Sequence, residues 1–402
     1  MTQFDINVII LNVIKKMADM LFRRTNMQDL SKEVALNPLA LIGTRGTEKM
    51  LKRIEKYIGE WRREENPDYI IEAKYSRFGT GEAKAMLMES VRGKDVFIVA
   101  DCFNYSQTYK MYGMEVPMSP DDHFADLKRI ISAISGKAAR ISVIMPMLYE
   151  SRQHRRTARE SLDCAFMLHE LVQLGVQNIM TFDAHDDRVR NAVPLEGFDN
   201  LMPTYQMFKA FMKNEKDIDI KNTVIVSPDE GALGRGMYYS SVLGIPLAMF
   251  YKRRDYTIVK DGRNPIVAHE YLGDDVSGKD IIVVDDIISS GDSFLHILDK
   301  LKAMGAKRIF GFFTFGLFCN GFDTIDDYYK RNMFDKIYAT NAVYNSDNAL
   351  SREWFEEVNI LKYAAYYIEA LNINRSVSVL MDPIKKMHAL CDKYNIELPK
   401  SL

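Results

Sequence analysis

From residue 94 onward the chain alternates short, β-branched apolar runs with longer amphipathic stretches, and that rhythm admits few architectures. The runs occupy residues 95–100 (DVFIVA), 140–145 (RISVIM), 178–183 (NIMTFD), 223–227 (TVIVS), 247–251 (LAMFY), 280–285 (DIIVVD), 308–314 (RIFGFFT) and 336–340 (KIYAT). Short strands separated by helix-length segments build βαβ units. Several runs are apolar almost throughout, as strands buried on both faces of a parallel sheet must be. Residues 158–174 and 293–304 carry helical patterns between them, and Gly305 follows the second as a C-cap. The predicted fold is α/β, with mostly parallel sheets flanked by helices.

Residues 194–205 (PLEGFDNLMPTY) hold two prolines and a glycine with little periodicity, which places a boundary between two α/β halves there. A chain of 402 residues is long enough for each half to bury its own core. The expected division is an N-terminal helical extension over 1–37, a first domain over 38–200, a second over 201–345, and a segment over 346–402 that packs back on the first domain and adds a tail helix. Within the extension, Phe4, Val8, Leu11, Ile14, Ala18 and Leu21 recur at helical spacing. That spacing predicts an amphipathic helix lying on the body or on a partner.

Charge and cysteine usage narrow the function. Lys plus Arg total 53 and Asp plus Glu 55, a formal net charge of −2. No global basic field exists to hold nucleic acid or anionic lipid, although a local cationic pocket is compatible with this balance. Cys102, Cys164, Cys319 and Cys391 lie far apart with no CxxC pair, so neither a disulfide framework nor a structural zinc site is expected. No apolar run approaches the ~20 residues that span a bilayer. The cytoplasm is the expected compartment.

In open α/β sheets ligands bind beyond the carboxyl ends of the strands, so the residues after each run carry the chemistry. The sharpest such end is 281–294 (IIVVDDIISSGDSF). Its small residues Ser289, Ser290, Gly291 and Ser293, with Asp292 among them, let backbone N–H groups curl around a phosphate at a helix start. Asp285 and Asp286 are placed to accept the hydroxyls of a sugar attached to that phosphate. At a second end, His185 follows Asp183 amid carboxylates and suits a divalent metal or a phosphate oxygen. A third end, Ser227-Pro228-Asp229, sets Asp229 toward a metal-bound phosphate, or forms a simple turn. Lys252, Arg253 and Arg254 precede an aperiodic segment at 257–268, a pattern suited to a mobile loop closing over anions or to a solvated charge run. Residues 151–160 (SRQHRRTARE) form a further basic stretch. Phosphate is what these sites share.

Residues 285–294 resemble the 5-phosphoribosyl-pyrophosphate (PRPP) binding motif of type I phosphoribosyltransferase folds. Residues 78–93 (FGTGEAKAMLMESVRG), Arg152-Gln153, Asp183-Ala184-His185, Ser227-Pro228-Asp229, Lys252-Arg253-Arg254 and Ser376-Val377-Ser378 narrow the resemblance to the ribose-phosphate pyrophosphokinases, or PRPP synthetases, over roughly 38–382. The resemblance implies two phosphoribosyltransferase-like domains. It implies a cytoplasmic, magnesium-dependent kinase of nucleotide biosynthesis that transfers the β,γ-diphosphoryl group of ATP to the 1-hydroxyl of ribose 5-phosphate, giving PRPP and AMP. It further implies an ATP site shared within a dimer-based homo-oligomer, of which a hexamer is one form, with Phe78, Thr80 and Glu82 of a neighbouring subunit on the adenine and Arg152, Gln153 and His185 near the phosphates. Magnesium falls to His185 and Asp229, ribose 5-phosphate to Asp285, Asp286 and the loop Ser289, Ser290, Gly291, Asp292 and Ser293, and transition-state charge to Lys252 and Arg254. No nucleic-acid or membrane partner is implied.

Two other readings use the same fold. A catalytically silent regulatory paralogue would be favoured by loss of the loop cations or metal ligands, and Lys252, Arg254, His185 and Asp229 all stand. A phosphoribosyltransferase that consumes PRPP needs no second half carrying Arg152-Gln153. The sequence also departs from the family pattern: Thr80 replaces an asparagine, the segment after Gln153 (HRRT) is shorter and lacks its usual acidic residue, and Asp292 adds a negative charge beside the phosphate loop.

Overall fold

The computed structural model describes residues 35–254 and 266–396, with residues 252–254 and 266–269 described by their backbone. The amphipathic pattern at Phe4 to Leu21, the segment after Arg254, and the side chains of Lys252 and Arg254 lie outside the described residues.

Two sheets organise the chain. The first contains β1 (Leu39–Gly43), β4 (Asp95–Val99), β7 (Arg140–Ile144), β8 (Asn178–Phe182) and β9 (Gly197–Leu201), all parallel and in the order β1-β4-β7-β8-β9. Two hairpins stand apart from it, β2 (Ala73–Arg77) with β3 (Ala83–Leu87), and β5 (Thr108–Met111) with β6 (Met114–Pro117). The second sheet contains β10 (Thr223–Ser227), β11 (Leu247–Arg254), β12 (Ile266–Leu272), β13 (Asp280–Ile288), β14 (Arg308–Gly316), β15 (Lys336–Thr340) and β16 (Phe355–Val358). Its order is β12-β11-β10-β13-β14-β15-β16, parallel except where β12 runs antiparallel to β11. All eight apolar runs are strands. Residues 194–205, read as irregular, instead include β9, an edge strand whose half-buried residues carry little apolar signal. The helix anticipated from 158 begins at Asp163, after the polar stretch that ends at Ser161.

Both faces of the first sheet are apolar because successive side chains alternate across it. Leu39, Leu41, Phe97 and Val99 face one way, and Ala40, Ile42, Val96 and Ile98 the other. The second face is covered by the helix Pro120–Ile134, which begins in a capping box: Ser119 Oγ accepts from Asp122 N at 3.2 Å and Asp122 Oδ2 accepts from Ser119 N at 3.0 Å. The first face meets the helix Glu48–Arg62 and a late helix, Leu361–Asn372. Arg62 joins these two helices through Glu369 at 2.6 Å and Asn372 at 2.7 Å. The last helix, Ile384–Lys393, buries Met387, Leu390 and Cys391 against the core of the second sheet instead. Late chain segments therefore lie on both sheets. Among the described residues, no helix is long and apolar enough to cross a membrane.

Candidate active site

The carboxyl ends of β8 and β13, one from each sheet, meet through a buried polar network. Asp183, just past β8, takes φ +40°, a left-handed conformation that aspartate adopts more readily than most residues. Its carboxylate accepts from Arg235 Nε at 2.7 Å and from Thr314 Oγ1 at 2.6 Å. Arg235 lies in the helix Leu233–Leu243 that follows β10, and Thr314 in β14. The same guanidinium donates to the carbonyl oxygens of Ala184 at 3.1 Å and His185 at 3.4 Å, and stands 3.4 Å from Asp286. A buried arginine is stable only when carboxylates and carbonyls accept hydrogen bonds from its N–H groups, and here they do.

His185 Nδ1 lies 2.7 Å from Asp286 Oδ2, so the ring of one domain is held by an acid of the other. That bond leaves Nε2 as the ring nitrogen for a ligand, and a carboxylate behind an imidazole fixes its tautomer and ring orientation. Burial pushes the Asp285 carboxyl well above the usual carboxylate range, and the charge of Asp286 adds to the effect. Burial acts in the same direction on Asp286, yet the His185 ring and the Arg235 guanidinium outweigh it and hold this carboxyl low. Two adjacent acids thus sit in different electrostatic surroundings, one raised by burial and one held low by its cationic partners, and both present oxygens that can accept from hydroxyls.

The loop after β13 leads into the helix Asp292–Ala303 through Gly291, whose φ of +89° favours glycine. Ser290 Oγ donates to Asp292 Oδ2 at 2.9 Å and accepts from Asp292 N at 3.3 Å. Asp292, whose charge stands beside a loop suited to phosphate, therefore helps shape that loop. Ser289 Oγ rests 3.4 Å from Cys319 Sγ, an exposed thiol after β14. Asp229 Oδ1 accepts from Gly231 N at 3.0 Å and Ala232 N at 3.3 Å, which orients it at the end of β10.

Arg152 and Gln153 follow β7 and line a cavity of about 320 Å³ with Phe103, Met147, Tyr149 and Glu150. His154, next in sequence, was no site candidate in its own right. Its ring lies 5.4 Å from that of His185, its Nε2 is 3.4 Å from Asp186, and its buried Nδ1 has no partner. Phe78, Thr80 and Glu82 stand elsewhere, at the tip of the β2–β3 hairpin. Phe78 is 54% exposed, and Thr80 Oγ1 donates to Glu82 at 2.8 Å. No hydrogen bond or ion pair joins these three to Arg152, Gln153 or His185 among the described residues. Lys252 and Arg254 belong to β11, their backbones opposite His269 and Ile266 of β12, with an irregularity between Arg253 and Arg254.

Among the described residues no three His, Cys, Asp or Glu side chains are grouped to hold a metal. A cation taken up with substrate phosphates needs fewer protein donors, since the phosphates and water fill most positions. His185 offers one imidazole backed by a carboxylate, and Asp229 ends β10, which pairs with the strand β13 that carries Asp286.

Residues 39–175 match the model for the N-terminal domain of ribose phosphate pyrophosphokinase, and residues 206–320 match the phosphoribosyl transferase domain. A ribose-phosphate pyrophosphokinase of Vibrio parahaemolyticus is 27% identical over 318 residues, spanning 77% of this chain and 91% of its own. One from Thermosipho africanus is 25% identical over 354 residues, spanning 87% and 99%. Among solved structures, the phosphoribosylpyrophosphate synthetase from Mycobacterium smegmatis superposes with a TM-score of 0.69 at 21% identity, covering 84% of this chain and 99% of its own.

Proposed function

Because the chain belongs to the ribose-phosphate pyrophosphokinase family, we propose that it is an active diphosphokinase making PRPP and AMP from ATP and ribose 5-phosphate. The observation that carries this reading is the His185–Asp286 contact. It sets the residue assigned to ATP phosphates directly against the acid assigned to ribose, which a reaction between those two substrates requires.

In this reading the ribose phosphate occupies the loop from Ser289 to Ser293, where backbone N–H groups at the start of the following helix face it. Asp285 and Asp286 hold the ribose hydroxyls. The ribose 1-oxygen bonds to the β-phosphorus as the bridge to the α-phosphorus breaks, and the bridging oxygen leaves on AMP. Arg152, Gln153 and His185 orient the ATP phosphates, while Lys252 and Arg254 stabilise the charge that moves during transfer. His185 and Asp229 would hold magnesium, which when bound neutralises phosphate charge. Phe78, Thr80 and Glu82 contact adenine from a neighbouring subunit, a role supported by their place on an exposed hairpin tip.

ATP labelled at the β-phosphorus tests the reading. Label recovered in PRPP, with AMP unlabelled, supports it. The absence of labelled PRPP across metal and phosphate conditions favours a silent paralogue.

A further inference from the structure

A second cavity, of about 460 Å³, lies between the helix Thr204–Asn214 and the helix Leu361–Asn372, and shares no residue with the site above. Its volume falls within the range of small-molecule pockets. Tyr205, Gln206, Lys209, Ala210 and Lys213 project from one face of the first helix, and the small Ala210 leaves space between the lysines. Tyr363 and Tyr366 contribute from the second helix and are each 8% exposed, so aromatic rings form the buried part of the lining. Lys209, Lys213, Lys362 and Lys386 are exposed and form its outer part. The Lys209 ammonium stands 5.9 Å from the Tyr205 ring centre and that of Lys386 6.0 Å from the Tyr366 ring centre.

Three features point to a ligand. No ion pair engages the four lysines among the described residues, and Glu357, one of the two glutamates in the lining, is already held by Asn345 at 3.0 Å and faces Arg53 at 3.9 Å. Positive charge is therefore left over at the rim. Gln206 Oε1 is buried without a hydrogen-bond partner, an acceptor whose desolvation a ligand donor would offset. Buried tyrosine rings offer stacking surface to a planar group.

We propose that this cavity binds a nucleoside phosphate, its base among Tyr205, Tyr363 and Tyr366 and its phosphate at the rim lysines. The base supplies the N–H donor that Gln206 lacks. The two walls belong to helices packed on different sheets, so an occupant spans both domains.

Photolabelling of the full-length protein with 8-azido-AMP, followed by peptide mapping, tests the proposal. Label is expected on the peptides carrying Tyr205 and Tyr363 to Tyr366, displaced by AMP but not by inorganic phosphate at the same concentration. The double variant Lys209→Glu, Lys386→Glu should lose this label at least tenfold, with turnover at saturating substrate within twofold of the parent. No label on these peptides, label undiminished in the double variant, or displacement by phosphate as complete as by AMP would each overturn it. Because the readout is binding, it stands or falls separately from the proposed reaction.

Discussion

Arg235 Nε donates to Asp183 at 2.7 Å, and this buried pair ties the helix after β10 to the end of β8. The two residues come from different domains and are separated by 52 positions in sequence. The same guanidinium also faces Asp286 and the carbonyls of Ala184 and His185, so one side chain sets the loop carrying His185 and the acid that holds its ring.

Arg235→Gln removes the cation and leaves Asp183 and Asp286 buried with fewer partners. Breaking a buried ion pair in this way costs about 3–5 kcal/mol. Thermal unfolding should move down by several degrees and turnover should fall at least tenfold. A variant with parental stability and turnover would show that the pair organises nothing.

Asp286→Asn keeps the shape but weakens the grip on His185 Nδ1. Loss of a carboxylate behind a metal-binding histidine typically lowers metal affinity about 10–100-fold. A magnesium titration of turnover should shift to higher concentration by a factor in that range. An unchanged titration would remove His185 from metal binding.

Lys252→Ala should lower turnover by orders of magnitude while the melting temperature stays within a degree or two, since the residue is assigned to the transition state rather than to the core. Measuring kcat and unfolding on the same sample separates the two effects. Parental kcat would exclude the lysine from the mechanism.

Asp101, just past β4, is 1% exposed and accepts from Phe103 N at 3.1 Å and from Tyr344 N at 2.9 Å. Burial pushes its carboxyl up to about 7, against the two backbone donors that favour the charged form. A raised acid means that the folded chain keeps a proton the unfolded chain has lost. Its contribution to stability is therefore largest at low pH and falls as pH rises toward 7, by up to about 1.4 kcal/mol per pH unit. Comparing unfolding of the parent and Asp101→Asn from pH 5 to 7 should show the steeper decline in the parent. Parallel curves would contradict this.

How far the sequence alone leads depends on how far apart the interacting residues are. The eight apolar runs could be read as strands because burial on both faces makes such a strand apolar throughout. β2, β5 and β6 are short hairpin strands of mixed residues such as AKYSR, and β16 (FEEV) is a four-residue edge strand, so none of them forms a continuous apolar run. His185, Asp285 and Asp286 were found because they follow apolar runs, although β13 itself continues past both aspartates to Ile288. Arg235 and Thr314 were not, since their importance arises only where they meet Asp183 in space. His154 was hidden within a basic stretch that reads as a solvated surface.

The central claim is that this chain makes PRPP. Purified full-length protein given ATP, ribose 5-phosphate and magnesium should release one AMP for each PRPP formed, both quantified by phosphorus NMR. Production of ADP, pyrophosphate release that depends on an added nucleobase, or no product across varied phosphate and metal conditions would contradict it.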